Sequence, residues 1–353
     1  MENSEALLAD LGWSAFFQSQ LSIDEIELLT VARVVAVHRD ALDVLLSGFR
    51  SRRLPQRYDL GGETGQATIG DWLLVNPEAT RIERLLERRS LFKRMAAGRE
   101  SHVQLLAANV DTLLIVSSCN EEFNLARIER YLSLAKEAGV EPILLLTKGD
   151  LAEDAESYAG AARGLDPRLL VVTCDAREIA IQEVLDPWLG RGQTLALMGS
   201  SGVGKSTLIN TLSGEEQATA PIREDDAKGR HTTSSRSMHR LPGGAWLVDT
   251  PGMREIQLTD AREGVEGVFK DIVELATKCR FSDCRHATEP GCAVQAAIQS
   301  GELEQDRLER FRKLAREEVF NSSSVAKKRA RSKELGKLYK SIQREKRSRS
   351  DEA

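Results

Sequence analysis

The order of three short motifs constrains this chain more than any one of them alone. A Thr-Lys-Gly-Asp motif lies at residues 147–150, a glycine-rich phosphate loop at 199–206 and an Asp-Thr-Pro-Gly motif at 249–252. The first kind of motif reads a purine base and the other two contact phosphates, and in the common arrangement the base-reading motif comes last. One site can still form here, because the order of strands in a sheet need not follow their order in the chain. The sequence therefore predicts a circularly permuted nucleotide-binding core.

Composition and cysteine content exclude several classes of protein. Hydrophobic residues make up 41% of the 353 residues and charged residues 29%, which is typical of a soluble globular protein. The longest apolar stretch, residues 105–118, is interrupted by Asn109 and Asp111, so we expect no membrane span. The first basic residue is Arg33, and no apolar h-region precedes it, which predicts no secretory signal. Five cysteines are too few for a disulfide framework in a chain of this length, and we expect a cytoplasmic protein.

From residue 111 onward, short apolar runs alternate with helical patterns. The predicted strands lie at 113–117, 142–147, 169–173 and 194–198, and the predicted helices at 124–138 and 205–212. Near-continuous apolar strands separated by helices indicate a mostly parallel sheet that is covered on both faces. Ligands bind such sheets at the carboxyl ends of the strands, and all three motifs follow an apolar strand.

The phosphate loop follows a predicted strand and opens a predicted helix, which is the context that its chemistry requires. Its glycines let backbone N–H groups surround phosphates, and the helix N-terminus contributes its dipole. We expect Lys205 to reach the β- and γ-phosphates and to act catalytically, and Ser206 to ligate Mg²⁺. The predicted nucleotide-binding residues of this segment are Gly199, Ser200, Ser201, Gly202, Val203, Gly204, Lys205, Ser206 and Thr207.

Asp150 carries the specificity of the base-reading motif. Its carboxylate can accept hydrogen bonds from the N1–H and N2–H₂ groups of guanine, which adenine does not present in that form. The first position of such motifs is usually Asn, and Thr147 offers instead a hydroxyl that can contact N7 of the base. The predicted base-binding residues are Thr147, Lys148, Gly149 and Asp150, with Lys148 over the base plane. Thr173 and Cys174 are predicted to supply a backbone contact to O6 of guanine, a plain strand end being the alternative.

Two further segments are predicted to face the γ-phosphate. Asp249 ends an apolar strand, from which its carboxylate can hold Mg²⁺ through water, and the N–H group of Gly252 can contact the γ-phosphate. In the polar stretch before that strand, Thr233 is the expected second ligand of Mg²⁺, with Thr232 as the alternative. A basic loop without a metal ligand is the other interpretation of this stretch.

One position lacks the side chain that hydrolysis commonly uses. Ras-like enzymes have a Gln after the Asp-x-x-Gly glycine, and this Gln orients the attacking water, whereas this chain has Met253. A thioether cannot orient water, so hydrolysis needs another polar group or a partner that reorders the site. His231 is the predicted catalytic substitute, and a solvated loop histidine is the alternative.

Four side chains that bind soft metals lie within fourteen residues in the C-terminal part of the chain. They are Cys279, Cys284, His286 and Cys292. Three thiolates and one imidazole are the ligand set of a closed structural Zn²⁺ site, which leaves no position for a reacting water. The sequence therefore predicts one zinc ion that stabilises a helical subdomain, with reduced free thiols as the alternative.

The two ends of the chain differ from its core. Residues 1–30 have the apolar pattern of an acidic amphipathic helix, and short β-branched runs up to about residue 95 predict a small β-barrel of a kind that binds oligonucleotides. Between Lys327 and Arg349 there are eleven basic and two acidic residues, although the whole chain has a net charge of −5. Such a tail is typical of proteins with a polyanionic partner, and a solvated helix end is the alternative.

Together these motifs resemble the ribosome small-subunit-dependent GTPase A family of circularly permuted GTPases, over nearly the whole chain. Besides the motif order and the Cys–His cluster, the resemblance rests on residues 104–111, 199–207, 228–233 and 249–255. It implies GTP hydrolysis that is stimulated by the small ribosomal subunit during its late maturation and coupled to release of assembly factors. It also implies an N-terminal OB-fold, a permuted GTPase domain and a zinc-bearing helical domain, of which the OB-fold and the zinc domain contact ribosomal RNA.

The expected fold is multidomain α/β. Its predicted parts are an N-terminal extension (1–30), an OB-fold (31–98), a circularly permuted GTPase domain (99–262), a zinc-binding helical domain (263–325) and a basic tail (326–353). The expected ligands and partners are GTP or GDP with Mg²⁺, zinc, the small ribosomal subunit with its RNA, and other assembly factors, and we expect a monomer. An ATP-dependent nucleic-acid remodeller and a nucleotide-gated RNA-binding switch with negligible turnover are the alternative functions.

Overall fold

The computed structural model describes residues 7–56, 66–95, 103–214, 236–249, 258 and 261–322. These residues form two compact units. The first contains 7–56, 66–93, 105–214, 236–249 and 263–268, and the second contains 94–95, 103–104, 258, 261–262 and 269–322. No helix in these ranges is long and apolar enough to cross a membrane.

The N-terminal segment is not the single helix that its apolar pattern predicted. After a helical stretch at residues 7–9 the chain turns, and two short helices follow, α1 (Ala15–Gln18) and α2 (Ile23–Leu28). Gly12 lies at the first break. Its φ angle is 89°, and a Cβ atom there would lie 2.6 Å from the carbonyl oxygen of Gly192. The helix is therefore interrupted by a contact with a distant part of the chain, which a local pattern cannot show.

Five antiparallel strands follow this segment. They are β1 (Thr30–Val37), β2 (Ala41–Leu46), β3 (Arg50–Pro55), β4 (Trp72–Val75) and β5 (Ile82–Leu85), with a 3₁₀ turn at Ser47–Phe49. The strands pair in the order β3-β2-β1-β4-β5. In β2 every second side chain is buried, namely Leu42, Val44 and Leu46, as expected for a sheet with one face on a core. The predicted strands are thus present, but no pairing between β3 and β5 closes them into a barrel within the described ranges.

The predicted, mostly parallel sheet is also present. Its strands are β8 (Thr112–Ser118), β9 (Glu141–Thr147), β10 (Leu170–Thr173), β11 (Thr194–Met198), β12 (Arg236–Arg240) and β13 (Trp246–Asp249). Their spatial order is β10-β9-β8-β11-β13-β12, and only β12 is antiparallel to its neighbour. Along the chain, the half of the sheet with β8 to β10 comes first and the half with β11 to β13 comes second. A chain that started at β11 would restore the common order of the motifs, so the fold is permuted as the sequence predicted.

A short antiparallel contact joins the two groups of strands. Ala36 of β1 pairs with Ser237 of β12, so that eleven strands form one continuous hydrogen-bonded sheet. The strands β6 (Leu91–Met95) and β7 (Val103–Ala108) form a separate two-stranded sheet.

Helices connect the strands of this sheet, and a further helix follows its last strand. They are α3 (Leu125–Ala138), α4 (Ala155–Arg163), α5 (Ala180–Leu185), α6 (Lys205–Ser213) and α7 (Arg262–Val268), with 3₁₀ turns at Gly149–Leu151 and Asp186–Trp188. The sequence fixes both ends of α3. Asn124 caps its start by accepting a hydrogen bond from the backbone N–H of Arg127 at 3.0 Å, and the left-handed Gly139 ends it. Its predicted apolar positions, including Ile128 and Leu132, are buried.

A buried apolar cluster supports the phosphate-loop helix. Leu195 of β11 and Leu247 of β13 belong to the same cluster as Leu208 and Leu212 of α6, and all four are almost fully buried. Burial of one leucine side chain stabilises a fold by about 1.5–3 kcal/mol. The strand that precedes the loop and the helix that follows it therefore share one rigid support.

The second unit is helical over most of its described residues. Its helices are α8 (Lys270–Ala276), α9 (Ala293–Gln299) and α10 (305–322). The ring of Phe269 lies 5.3 Å from that of Phe311, measured between centroids. The guanidinium of Arg307 donates two hydrogen bonds to the carboxylate of Asp271, at 2.6 and 3.0 Å, and also lies over the ring of Phe269. These contacts join α8 to α10.

Candidate functional site

The phosphate loop connects β11 to α6 beside the place where the strand order reverses. Gly202 and Gly204 have φ angles of 79° and 91°, in the left-handed region that favours glycine. Gly199 is required for a different reason, because a Cβ atom there would lie 2.3 Å from the carbonyl oxygen of Val116 on β8. The loop thus has the strand–loop–helix setting and the backbone conformation of an anion-binding loop.

Two cationic side chains contact this loop. Lys205 begins α6 and is only 7% exposed, and its ammonium group donates a hydrogen bond to the carbonyl oxygen of Ser200. Arg127 of α3 donates a hydrogen bond to the hydroxyl of Ser200 at 2.9 Å. The predicted lysine therefore lies inside the loop. Arg127 was not identified from the sequence, because nothing near it in the chain indicates a contact 73 residues away.

Thr147 joins the base-reading motif to the phosphate loop. It is 1% exposed, and its hydroxyl lies 2.7 Å from the carbonyl oxygen of Val203 and 3.1 Å from that of Ser117. A hydroxyl has one proton to donate, which these two carbonyl oxygens share. Thr147 therefore ties the end of β9 to the loop and to the end of β8, a structural role beside the predicted contact with the base.

A pocket opens beside the phosphate loop at the carboxyl ends of β9 and β10. The volume that water can reach inside it is about 180 Å³. The residues that line it are Thr147, Lys148, Asp150, Leu151, Asp175, Ala176, Arg177, Gly204 and Thr207. The base-reading motif and the phosphate loop, although far apart in the chain, thus line the same cavity. This arrangement makes the pocket the candidate site for a nucleotide base.

The segment that follows β10 lines the pocket with residues other than the two predicted. Thr173 and Cys174 are not among the lining residues of this pocket, and neither is Gly149. Gly149 lets the ends of β9 and β10 lie close together, since a Cβ atom there would lie 2.4 Å from Cγ2 of Thr173. Burial raises the pKa of Cys174 to about 12, which keeps its thiol neutral. The residues that line the pocket instead are Asp175, Ala176 and Arg177.

The predicted γ-phosphate contacts fall partly outside the described residues. Asp249 is the last residue of β13, which pairs with β11, so its backbone lies at the sheet edge that carries the loop. The exposed Ser206 lies in the first turn of α6, where a hydroxyl oxygen suits a hard cation such as Mg²⁺. The predicted residues outside the described ranges are His231, Thr232, Thr233, Gly252 and Met253.

The four predicted metal ligands lie together in the second unit. The ligand atoms of Cys279, Cys284, His286 and Cys292 are all within 4.8 Å of one another. Two sulfurs, those of Cys279 and Cys292, are 3.9 Å apart, and Nδ1 of His286 is 3.6 Å from the first and 3.5 Å from the second. With Zn–S bonds of about 2.3 Å and Zn–N bonds of about 2.1 Å, a tetrahedral site has edges of about 3.8 Å and about 3.6 Å. The donor set and its spacing therefore fit zinc.

Neighbouring groups support two of these ligands. Cys292 is the N-cap of α9, and its sulfur accepts a hydrogen bond from the backbone N–H of Gln295 at 3.4 Å. The guanidinium of Arg312 donates to the carbonyl oxygen of His286 at 2.7 Å. Burial and the nearby Arg312 lower the pKa of His286, which keeps its imidazole neutral and able to bind a metal.

The sequence matches a described protein family and individual relatives. The family model described as RsgA GTPase matches residues 85–259. The Small ribosomal subunit biogenesis GTPase RsgA 2 of Vibrio parahaemolyticus is 48% identical over 97% of this chain and 94% of the relative. The Small ribosomal subunit biogenesis GTPase RsgA of Mesorhizobium japonicum is 49% identical over 90% of this chain and 92% of the relative.

Solved structures share the fold. YjeQ from Thermotoga maritima has a TM-score of 0.60 at 25% identity, over 81% of this chain and 97% of its own. YloQ, described as a circularly permuted GTPase, has a TM-score of 0.57 at 22% identity, over 81% of this chain and 93% of its own. This second match agrees with the strand order of the sheet and confirms the predicted permutation. Since relatives at nearly half identity align along almost the whole length, the chain belongs to the RsgA GTPase family.

Proposed function

We propose that the chain is a GTPase that binds the small ribosomal subunit and assists its late maturation, hydrolysing GTP to GDP and phosphate with stimulation by the subunit. The alignment with a Small ribosomal subunit biogenesis GTPase at 48% identity over 97% of the chain carries this proposal. The pocket that joins the base-reading motif to the phosphate loop supports its nucleotide-binding part.

Guanine is preferred over adenine because a carboxylate lines the pocket. Asp150 accepts hydrogen bonds from N1–H and N2–H₂ of guanine, whereas adenine presents an acceptor at N1, which a carboxylate repels. Lys148 covers the base plane, and Thr147 and Gly149 hold the motif at the end of β9. On this basis GTP, not ATP, is the substrate, which disfavours an ATP-dependent nucleic-acid remodeller.

The phosphate loop and α6 stabilise the charge that develops on the phosphates. The N–H groups of residues 199–207 surround the phosphate oxygens, and Lys205 turns from the carbonyl of Ser200 to the β- and γ-phosphates. Ser206 and Thr233 would hold Mg²⁺, with Asp249 acting through water. When bound, the ion would supply positive charge that offsets the charge developing on the phosphates. Gly252 contacts the γ-phosphate through its backbone N–H group.

His231 orients the attacking water in this proposal. The residue after Gly252 is Met253, which offers no hydrogen-bond donor to water, so the task falls to a polar side chain elsewhere. His231 directly precedes Thr232 and lies two residues before Thr233, so in this proposal it comes near the γ-phosphate together with the metal-binding threonine.

The OB-fold, the zinc-binding domain and the basic tail contact ribosomal RNA. We assign an OB-fold to 31–98, the permuted GTPase domain to 99–262, a zinc-stabilised helical domain to 263–325 and a basic tail to 326–353, after an extension at 1–30. The order β3-β2-β1-β4-β5 supports the OB-fold, and exposed arginines on β3 suit a phosphate backbone. These arginines are Arg50, Arg52 and Arg53.

The chain acts as a cytoplasmic monomer alongside other assembly factors, whose release is coupled to GTP hydrolysis. Soluble-protein composition supports this placement.

Co-sedimentation with purified ribosomal subunits tests the partner, and nucleotide competition tests the substrate. We expect the chain with a non-hydrolysable GTP analogue to bind small subunits and not large ones, and GDP but not ADP to displace a fluorescent guanine nucleotide. Equal binding to both subunits contradicts the proposed partner. Equal displacement by GDP and ADP contradicts the proposed substrate.

A further inference from the structure

Three charged side chains meet at one wall of the base pocket. Asp150 belongs to the base-reading motif, whereas Asp175 and Arg177 follow β10, and all three line the pocket. The proposed function uses only Asp150. A second carboxylate and a guanidinium beside it therefore lack an assigned role.

Arg177 bridges the two carboxylates. Its Nε donates to both oxygens of Asp175, at 2.9 and 3.0 Å, and its Nη2 donates to Oδ2 of Asp175 at 2.5 Å. The same Nη2 donates to Oδ2 of Asp150 at 2.8 Å. Since both Oδ2 atoms contact one nitrogen, they lie no more than about 5.3 Å apart. A hydrogen bond of 2.9 Å from the backbone N–H of Arg177 to Asp175 fixes this side of the bridge.

The bridge offsets the repulsion between the two acids. Two carboxylates at this separation repel each other unless a cation lies between them. Arg177 holds the pKa of Asp175 at about 2, through its side-chain and backbone hydrogen bonds to that carboxylate. Only 14% of the Asp175 side chain and 33% of the Asp150 side chain are exposed, so water screens this repulsion incompletely.

Other charged or titratable groups near this wall do not replace the guanidinium. Lys148 also lines the pocket and is assigned to the base plane. Glu178 acts electrostatically on Arg177 and adds further negative charge, and the neutral thiol of Cys174 lies near Asp175. Arg177 is therefore the cation that hydrogen-bonds both acids.

The bridge leaves the base-reading function of Asp150 intact. Arg177 contacts only one oxygen of that carboxylate, and a carboxylate has about four lone-pair sites. Oδ1 and the second site on Oδ2 remain for N1–H and N2–H₂ of guanine. We propose that Arg177 is a positioning residue for guanine recognition, which orients Asp150 and neutralises the charge of Asp175 beside it. This inference rests on the proposed function as a guanine-nucleotide enzyme.

The test measures Kd for GDP by titration calorimetry at neutral pH, in the full-length chain. We expect Arg177→Ala to weaken GDP binding about 10-fold, because Asp150 loses the hydrogen bond that orients it and lies beside an uncompensated Asp175. Arg177→Lys, which keeps the charge, should recover most of the affinity. Asp175→Ser together with Arg177→Ala should also recover it, because removal of the second acid removes the need for the cation.

Arg163→Ala is the matched control, since Arg163 pairs with Glu156 on the surface of the same unit, outside the pocket. Unchanged or tighter GDP binding by Arg177→Ala overturns the inference, tighter binding meaning that Arg177 competes with the base. Failure of the double variant to recover affinity also overturns it, because Arg177 would then not act by neutralising Asp175. A wild-type chain that does not prefer GDP over ADP overturns the proposed function itself. A wild-type preference for GDP together with unchanged GDP binding by Arg177→Ala overturns this inference alone.

Discussion

The base pocket of the first unit and the Cys–His cluster of the second differ in how far apart their residues lie in the chain. The pocket combines residues that follow three different strands, β9, β10 and β11. The cluster takes all four ligands from one segment of fourteen residues. The first site depends on a buried sheet for its geometry, whereas the second depends on local chain turns and on its metal.

This difference predicts which changes should disturb the structure of each site. Buried apolar side chains on both faces of the sheet, such as Leu114 and Leu113, support the strand ends. The second unit has few described helices and a small core, and structural zinc sites of this size commonly supply the folding energy themselves. Loss of a ligand should therefore disturb the second unit far more than the first.

Zinc removal should have the largest effect and should separate the two sites. Zinc binding contributes about 10 kcal/mol or more to the folding of small structural sites, so chelation or Cys284→Ser should unfold the helices α8 to α10. Hydrogen exchange should show lost protection in these helices and retained protection in β8 to β11. Binding to small subunits should fall far more than binding to GDP.

Cys119→Ser is the matched control for the metal experiment. Cys119 is a buried thiol of the first unit outside the cluster, and this variant should keep one zinc per chain. Loss of protection in both units after Cys284→Ser would contradict the idea that the two sites have separate supports.

Lys205→Ala should abolish most catalysis and leave the fold intact. Removal of one group that stabilises transition-state charge costs about 100-fold to 1,000-fold in turnover. The measurement is GTP turnover with small subunits present, together with a thermal melt. Arg163→Ala, which removes an exposed arginine of α4 that pairs with Glu156, is the control that should keep full activity. Turnover within about threefold of wild type would remove Lys205 from the catalytic site.

Asp150→Asn should change which base the pocket accepts. The amide replaces an acceptor with a donor that faces N1–H or N2–H₂ of guanine, and each unpaired buried polar group costs about 1–3 kcal/mol. We expect GDP affinity to fall about 100-fold and xanthosine diphosphate, whose C2 carbonyl accepts the new N–H, to bind better than GDP. An unchanged preference for GDP would place the base elsewhere.

Thr147→Val should have the smallest effect of this series. It removes the hydroxyl proton shared by the carbonyl oxygens of Val203 and Ser117, which costs about 1 kcal/mol of stability. Urea denaturation measures this loss, and Thr147→Ser, which keeps the hydroxyl, should lose less. A valine variant as stable as wild type would show that the tie to the phosphate loop contributes nothing.

The same contrast explains what the sequence could predict. The strand Thr194–Met198, the capped helix α3 and the Cys–His cluster follow from local apolar pattern or spacing, and the structure has them at or near the predicted bounds. The break at Gly12 and the bridge by Arg177 depend on residues far away in the chain, so no local pattern contains them. The predicted barrel at the N-terminus would need a pairing between β3 and β5, a long-range contact that a local pattern cannot establish.

The most direct test of the account is GTP turnover by the purified chain, alone and with increasing concentrations of small ribosomal subunits, with large subunits as the control. The account predicts slow turnover by the chain alone and a steep, saturable increase with small subunits only. Turnover that stays the same with either subunit would contradict a GTPase whose hydrolysis is governed by the small subunit.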